Sequence, residues 1–256
     1  MCADLLTFAP VKTGKMAARF NLGELVDRLV GRQLRDGDVI VVSSKFVAVA
    51  EGRVVALDSV LPTPGAVALA EKWEMPAELC ELIVRESDDI IGGVAGFILV
   101  LKEGLLTPNA GIDKSNIEHG KVVLYPRDSV ESAVALVDAL RFRRGVSIGV
   151  VVADSRLMPT RKGTVGVALA SVGIDAIVDL RGKPDLFGNV LRVTSQAVAD
   201  DLCSGAQIVM GEADEATPIV LVRGLGLPSP AVYPMSSFAV DPNQCVYMRS
   251  LGRPAT

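Results

Sequence analysis

Histidine is almost missing from this chain. Only His119 occurs among 256 residues, and the four cysteines, Cys2, Cys80, Cys203 and Cys245, lie far apart with no CxxC pair. Catalysis by a Ser-His or Cys-His couple therefore has little to work with. Neither a zinc site nor a disulfide frame is suggested, and the cysteines read as free thiols of a cytoplasmic protein. Aromatic residues make up 4% of the chain and the formal net charge is −4. That leaves no cationic face for a phosphate backbone and few rings for base stacking, so nucleic acid is not an expected partner. Although half the residues are hydrophobic, no run approaches the roughly 18 apolar residues of a membrane helix. Lys12 and Lys15 are not followed by an apolar run, so no signal peptide is expected. No GxxxxGK[ST] occurs, and no GxGxxG follows a strand, which excludes the P-loop and the dinucleotide fingerprint.

What is present is a regular alternation of apolar segments and turn chemistry. Leu22, Leu25, Val26, Leu29 and Val30 recur at helical spacing, with Asn21 to cap and Gly31 to stop, predicting a helix over 21–31. Asp36-Gly37-Asp38 turns into Val39–Val42, a short apolar strand, and 38–56 reads as hairpin-like. Residues 64–86 read as two helices divided at Pro76, with Trp73 in the core or at an interface. Val94 to Leu124 reads as β-rich. A helix follows to about Arg144, with Asp128 as cap and Glu131 reaching back. Ile148 to Val152 is uninterruptedly apolar, as a strand covered on both faces is, and should end in Asp154-Ser155. The small residues of 163–173 suit close backbone packing. A strand over 190–194, a helix over 195–210 and a strand over 219–222 are expected next. From Pro228 the chain is rich in Pro and Ser and reads as a surface tail. The alternation is too loose for a doubly wound sheet, so the class is α+β with mixed or antiparallel sheets. The chain reads as one unit, with lobes of about 1–145 and 146–227 and a tail 228–256 as its finest division.

Three places carry candidate chemistry. Asn109-Ala110-Gly111-Ile112-Asp113-Lys114-Ser115-Asn116 crowds amides, a carboxylate, a hydroxyl and an ammonium between apolar segments. Turn formers explain Asn, Asp, Gly and Ser, but the pattern also suits a hard cation beside a phosphate. Asp154 and Ser155, at a buried strand's expected end, either meet a ligand or cap the next loop. Met210-Gly211-Glu212-Ala213-Asp214-Glu215 sets three carboxylates after a helix. They oppose its dipole by about 0.3–1 kcal/mol each unless a cation compensates; the alternative is a solvated acidic turn. Together Asp113, Asp154 and Glu212 have the chemistry to hold two Mg²⁺ or Mn²⁺ ions, with water and substrate phosphate completing each shell. Ser43, Ser44 and Lys45 follow a strand and suit a phosphate, while Arg161 and Lys162 either neutralise phosphate or form a solvated basic pair.

Several stretches then fall into one set. GDVIVVSSK (37–45), AEGR (50–53), NAGIDKSN (109–116), Asp154-Ser155, RGKPDLFG (181–188), LRVT (191–194), VADD (198–201) and MGE (210–212) occur in order between about residues 10 and 224. In this the chain resembles the coenzyme F420-0:L-glutamate ligases, which extend the γ-glutamyl tail of a deazaflavin coenzyme. The resemblance implies an α+β fold, an intertwined homodimer with a nucleotide groove near its interface, GTP as co-substrate, two divalent cations and K⁺. It implies that Asp113 and Asp154 ligate the first metal and act in catalysis, and that Ser155 and Glu212 ligate the second. It further implies that Ser44, Asn116 and the backbone of 210–217, including Met210, Gly211, Ala213 and Asp214, hold the nucleotide. Pro10-Val11-Lys12-Thr13 would stand at its edge. The implied reaction activates an acceptor carboxylate as an acyl phosphate, which the amine of L-glutamate displaces, with Lys45, Lys114 and Arg161 adding positive charge. Ala48-Val49 stands where the family commonly has Ser-Lys, and Arg156-Leu157-Met158-Pro159-Thr160 replaces its usual Gly-Arg and aromatic. Those departures keep open a different carboxylate acceptor. A non-catalytic homologue that binds a nucleotide or small molecule, and a metal-dependent phosphohydrolase, stand as further alternatives.

Overall fold

The computed structural model describes residues 5–16, 18–226 and 228–250. Strand β1 (Thr7–Val11) comes first; it is an edge strand, where Pro10 is tolerated. Helix α1 (Leu22–Val30) follows as expected, its Asn21 cap accepting from the Glu24 amide at 3.0 Å. Strand β2 (Val39–Ser43) runs into helix α2 (Ser44–Glu51) and then β3 (Val54–Ala56), so 38–56 is strand, helix, strand rather than a hairpin. Phe46 to Ala50 are all buried, and a helix buried on every side shows no amphipathic period. Helices α3 (Pro64–Trp73) and α4 (Ala77–Arg85) divide at Pro76 as expected. Strands β4 (Asp89–Val94), β5 (Phe97–Lys102) and β6 (Leu105–Pro108) form an antiparallel meander, and β7 (Lys121–Val123) pairs with β3.

Helix α5 (Ser129–Arg144) is capped by Asp128, which accepts from the amides of Val130 and Glu131, both at 2.9 Å. Among the described residues the return bond from Glu131 is not made, because its amide and not its carboxylate serves the cap. Strand β8 (Gly149–Leu157) does not stop at Asp154-Ser155. It continues to Leu157 because β9 (Thr164–Ile174) folds back on it, setting Asp154 opposite Val167. Strands β10 (Val178–Asp179) and β11 (Ser195–Gln196) pair with each other. The strand expected over 190–194 is absent: Val190 makes a single bridge to Pro184 and Val193 is exposed, so this apolar stretch has no sheet to join. Helix α6 starts at Val198 and ends at Met210, followed by β12 (Ile219–Arg223). The segment after 228 is not a loose tail at its start, since β13 (Pro228–Tyr233) pairs with β9; α7 (Val246–Ser250) comes later.

One six-stranded sheet, ordered β1-β12-β2-β8-β9-β13, carries the architecture. Its only parallel pair is β2 and β8, with Ser43 opposite Ala153; its other neighbours are antiparallel. Ile40, Val42, Val150 and Val152 face α1 and α5, whereas Val39, Val41, Val151 and Ala153 face α6. This explains the apolar runs: both faces are covered. A second core packs α3 and α4 on the β4–β6 meander, with Trp73 partly buried in it. Strands from both sides of residue 145 share the main sheet, so no boundary in hydrogen bonding falls there. The fold is α+β with a mixed sheet and separate antiparallel ones. Gly166 realises the close packing expected of 163–173: a Cβ there would collide with the backbone of Cys203 and Ser204 on α6. Cys80, Cys203 and Cys245 are free thiols, while Cys2 lies outside the described residues. No helix among those residues is long and apolar enough to cross a membrane.

Candidate active site

Parallel pairing brings the carboxyl ends of β2 and β8 side by side, the usual place for a ligand beside a sheet. A cavity of about 450 Å³ opens there, lined by Ser43, Lys45, Asp113, Asp154, Ser155 and Glu212 among others. This volume falls within the range of small-molecule sites. Five contributions meet in it: residues 13–16 after β1, the β2–α2 junction, the 109–116 loop, the β8–β9 hairpin, and α6 with the turn after it. Thr13, Asn116, Met210, Gly211, Ala213 and Asp214 also reach the wall. Ser44 lies just behind it, and Pro10, Val11 and Lys12 run along the edge strand outside it.

The 109–116 loop is anchored by its backbone. Asp113 exchanges both amide bonds with Val123, at 3.0 and 2.9 Å. Its carboxylate takes the Lys45 ammonium at 2.6 Å and the Ser115 amide at 2.7 Å. Lys45 also donates to the Ser115 hydroxyl and carbonyl oxygens, at 2.8 and 3.1 Å. Burial would raise the Asp113 carboxyl, but the Lys45 charge and the Ser115 bonds outweigh it and hold the group below its ordinary value. The loop is an Asx-type turn, and its carboxylate also lines the cavity. Asn116, with a φ of 53°, points its amide at the Ala213 carbonyl, 2.7 Å away, tying this loop to the turn after α6.

Asp154 is held differently. Ser44 donates to its Oδ1 at 3.0 Å, and the Tyr125 hydroxyl donates to its Oδ2. Arg156 Nη2 in turn donates to the Tyr125 oxygen at 3.3 Å, while its buried Nε has no partner. Burial pushes the Asp154 carboxyl up against the opposing pull of Tyr125, Arg156 and Ser44, and the Asp113 charge adds to the rise. Burial first and the Asp154 charge second push the Tyr125 hydroxyl well above its ordinary value, so it remains a donor. Glu212 accepts from Gln207 and from the Thr164 hydroxyl, the latter at 3.3 Å, which holds it between α6 and β9.

Asp113, Asp154, Ser155 and Glu212 thus share one cavity. Among the described residues, however, no group of three or more His, Cys, Asp and Glu stands close enough to hold a metal by itself. The donor set still fits a hard divalent ion, which takes one or two carboxylates and fills its shell from water and phosphate. Burial is what chiefly raises Asp154, and the Asp113 charge adds to it; a cation placed between the two carboxylates would oppose both effects. Arg161 sits in the turn of the exposed β8–β9 hairpin, and neither it nor Lys114 lines the cavity. Tyr125, Gln207 and Thr164 were not foreseeable as site residues from motif spacing. The one signal was Tyr125 itself, since a tyrosine directly after an apolar run is apt to be buried and then needs a partner for its hydroxyl.

Fold and site together define an α+β protein with an acidic pocket at the carboxyl ends of the parallel strands β2 and β8. The model of the F420-0:Gamma-glutamyl ligase family matches residues 10–224, and the chain belongs to that family. It is similar to the Coenzyme F420:L-glutamate ligase of Methanopyrus kandleri, with 39% identity over 80% of this chain and 81% of that one. The protein of the same name from Methanothermobacter thermautotrophicus is 39% identical over 76% of this chain and 77% of its own. That from Methanocaldococcus jannaschii is 37% identical over 84% of this chain and 85% of its own.

Proposed function

We propose that this protein joins L-glutamate to coenzyme F420-0 in an amide bond, using GTP and two Mg²⁺ or Mn²⁺ ions per site. K⁺ belongs to the same reading through the family alone. The observation that carries it is the convergence of Asp113, Asp154, Ser155 and Glu212, with Lys45 and Asn116, on one cavity at the β2 and β8 ends. In this reading an acceptor carboxylate oxygen attacks the γ-phosphorus of GTP and GDP leaves, giving an acyl phosphate. The glutamate amine then attacks the acyl carbon, loses its proton, and inorganic phosphate departs. Asp113 and Asp154 would hold one divalent ion, and Ser155 and Glu212 the other. Bound there, the ions would neutralise phosphate charge in the transfer. Lys45 supplies a point positive charge at the same wall, Asn116 and the 210–217 backbone seat the nucleotide, Ser43 and Thr13 close its sides, and Ser44 acts from behind the wall through Asp154. No group of the chain needs to become covalently modified, in keeping with the lack of a Ser-His or Cys-His pair.

We further propose that the chain acts as a homodimer. Leu186 and Phe187 are 100% and 92% exposed at the tip of the segment between β10 and β11.

The test is phosphate release together with mass spectrometry of the product, with F420-0 and a panel of other carboxylates, each with glutamate and GTP or ATP. Glutamylated F420-0 is expected with GTP. Asp113→Ala and Asp154→Ala should each lose essentially all turnover. Near-normal activity in Asp113→Ala would sink the metal assignment, product from another acceptor would replace the substrate, and hydrolysis without acceptor would make the protein a phosphohydrolase. Nucleotide-induced stabilisation without hydrolysis would leave a binding homologue.

A further inference from the structure

Asp113 and Asp154 come from separate parts of the chain, 41 positions apart by their numbers. The β2–α2 junction holds both, through Lys45 on Asp113 and Ser44 on Asp154, and Tyr125 adds a second tie, from the loop that carries Asp113 to Asp154. Tyr125 lies two residues beyond Val123, which exchanges backbone bonds with Asp113. Its carbonyl accepts from Arg53 Nε at 3.0 Å, so its backbone is pinned as well. Its ring covers Gly111, where a Cβ would fall inside the ring itself, and Gly111 has a φ of 76°. Only glycine meets both demands. The ring carbon nearest Gly111 is the one that carries the hydroxyl, and that hydroxyl donates to Asp154 Oδ2. The ring is 4% exposed and packed into the main core, so it has little freedom to swing.

We propose that Tyr125 is a positioning residue that gauges the Asp113 loop against Asp154, its ring seated on Gly111 and its hydroxyl fixing the carboxylate. The hydrogen-bond directions leave one arrangement. Arg156 can only donate, so it takes a lone pair of the Tyr125 oxygen and directs the phenolic proton to Asp154. Ser44 occupies Oδ1 from the other side. Both carboxylate oxygens are thereby oriented by partners that do not line the cavity, whereas Asp154 does. Substituting the outer partners of a metal-binding carboxylate typically costs 10- to 100-fold in metal affinity or activity. This inference rests on the ligase reading for its kinetic consequence, whereas the gauge itself concerns this chain's geometry.

Tyr125→Phe keeps the ring and removes the hydroxyl. On the full-length protein, Mn²⁺ binding without nucleotide is read by electron paramagnetic resonance, and glutamylation kinetics are read with GTP. The expected result is a roughly tenfold loss in Mn²⁺ affinity and in kcat, with KM for GTP within about twofold. A double-mutant cycle of Tyr125→Phe with Asp154→Asn in urea unfolding should be non-additive, since the two side chains touch. Additive stabilities, or Mn²⁺ affinity and kcat both within twofold of wild type, would overturn the proposal and leave Tyr125 a core residue. A wild-type protein that binds Mn²⁺ but ligates no glutamate would overturn the proposed function, and the Mn²⁺ comparison would still decide on Tyr125. A wild-type protein that binds no Mn²⁺ would overturn both. Gly111→Ala is a second variant, expected to reproduce the Mn²⁺ defect with neither carboxylate nor hydroxyl altered.

Discussion

On the ligase reading, Lys45 and a divalent cation would compete for the same oxygen. The ammonium sits 2.6 Å from Asp113 Oδ2, with its other donors on Ser115. The pair is partly exposed, with side-chain exposures of 25% and 43%, so its net worth is limited to about 1 kcal/mol by solvent screening. That is about a fivefold factor in an equilibrium constant. A metal at Asp113 must displace Lys45, and the freed ammonium is then available to a phosphate. Lys45→Met should therefore change two affinities in opposite directions. Mn²⁺ should bind the nucleotide-free protein about fivefold more tightly, read by paramagnetic resonance. KM for GTP should rise by about tenfold, as expected when a charge-assisted contact to phosphate is lost. Weaker Mn²⁺ binding in the variant would show that Lys45 supports the site instead of competing for it.

Between helices, Glu81 of α4 does what a cap does within one. Its side chain is 5% exposed, and Oε2 accepts from the Thr63 amide at 2.8 Å and the Thr63 hydroxyl at 2.7 Å, while Arg85 bonds Oε1. Thr63 is itself the N-cap of α3, so one carboxylate of α4 ties the N-terminus of α3 to it, at the end away from the Pro76 junction. The Thr63 amide first, then the Thr63 hydroxyl and Arg85, lower the Glu81 carboxyl to about 2 from 4.5. A carboxyl lower in the folded than in the unfolded chain adds stability that is complete above its unfolded value and fades as pH falls toward the folded one. Wild type should therefore exceed Glu81→Gln in urea midpoint at pH 7, and the gap should narrow steadily from about pH 4.5 down to pH 2. A gap independent of pH would mean that shape, not charge, makes the tie. The sequence made α1, α3, α4 and α5 readable through different local signals: Asn21 and Asp128 cap α1 and α5, Thr63 and Pro64 open α3, and Pro76 opens α4. It concealed α2, whose all-round burial erases the period, and the outer half of β8, whose Asp154 and Ser155 look like a strand's end until β9 pairs with them. The site was readable where a motif is contiguous, as at 109–116. Tyr125 was not, because its role is set by a ring meeting Gly111 and a carboxylate 29 residues away.

For the molecule as a whole, the segment between β10 and β11 is the outstanding surface feature. Leu186, Phe187, Val190 and Val193 are 100%, 92%, 60% and 88% exposed. Their segment is nonetheless well structured: Asp185 accepts from the amides of Phe187 and Asn189, both at 2.8 Å, and from the Asn189 side chain at 3.0 Å. Asp179 and Arg181 form an ion pair at its base. Each large apolar side chain left in water forgoes about 1.5–3 kcal/mol that burial would give. Several such side chains held together at a rigid tip mark an interaction surface. The homodimer reading assigns that surface to a second copy, each tip burying itself against its partner. Leu186→Asp with Phe187→Asp should then convert the dimer to a monomer in sedimentation equilibrium at micromolar concentration. The monomer's own sheet should persist by circular dichroism, since both side chains lie at an exposed tip. Two outcomes carry opposite meanings. A wild-type protein that sediments as a monomer removes the dimer altogether, whereas a variant that stays dimeric places the interface elsewhere, on a face other than this tip.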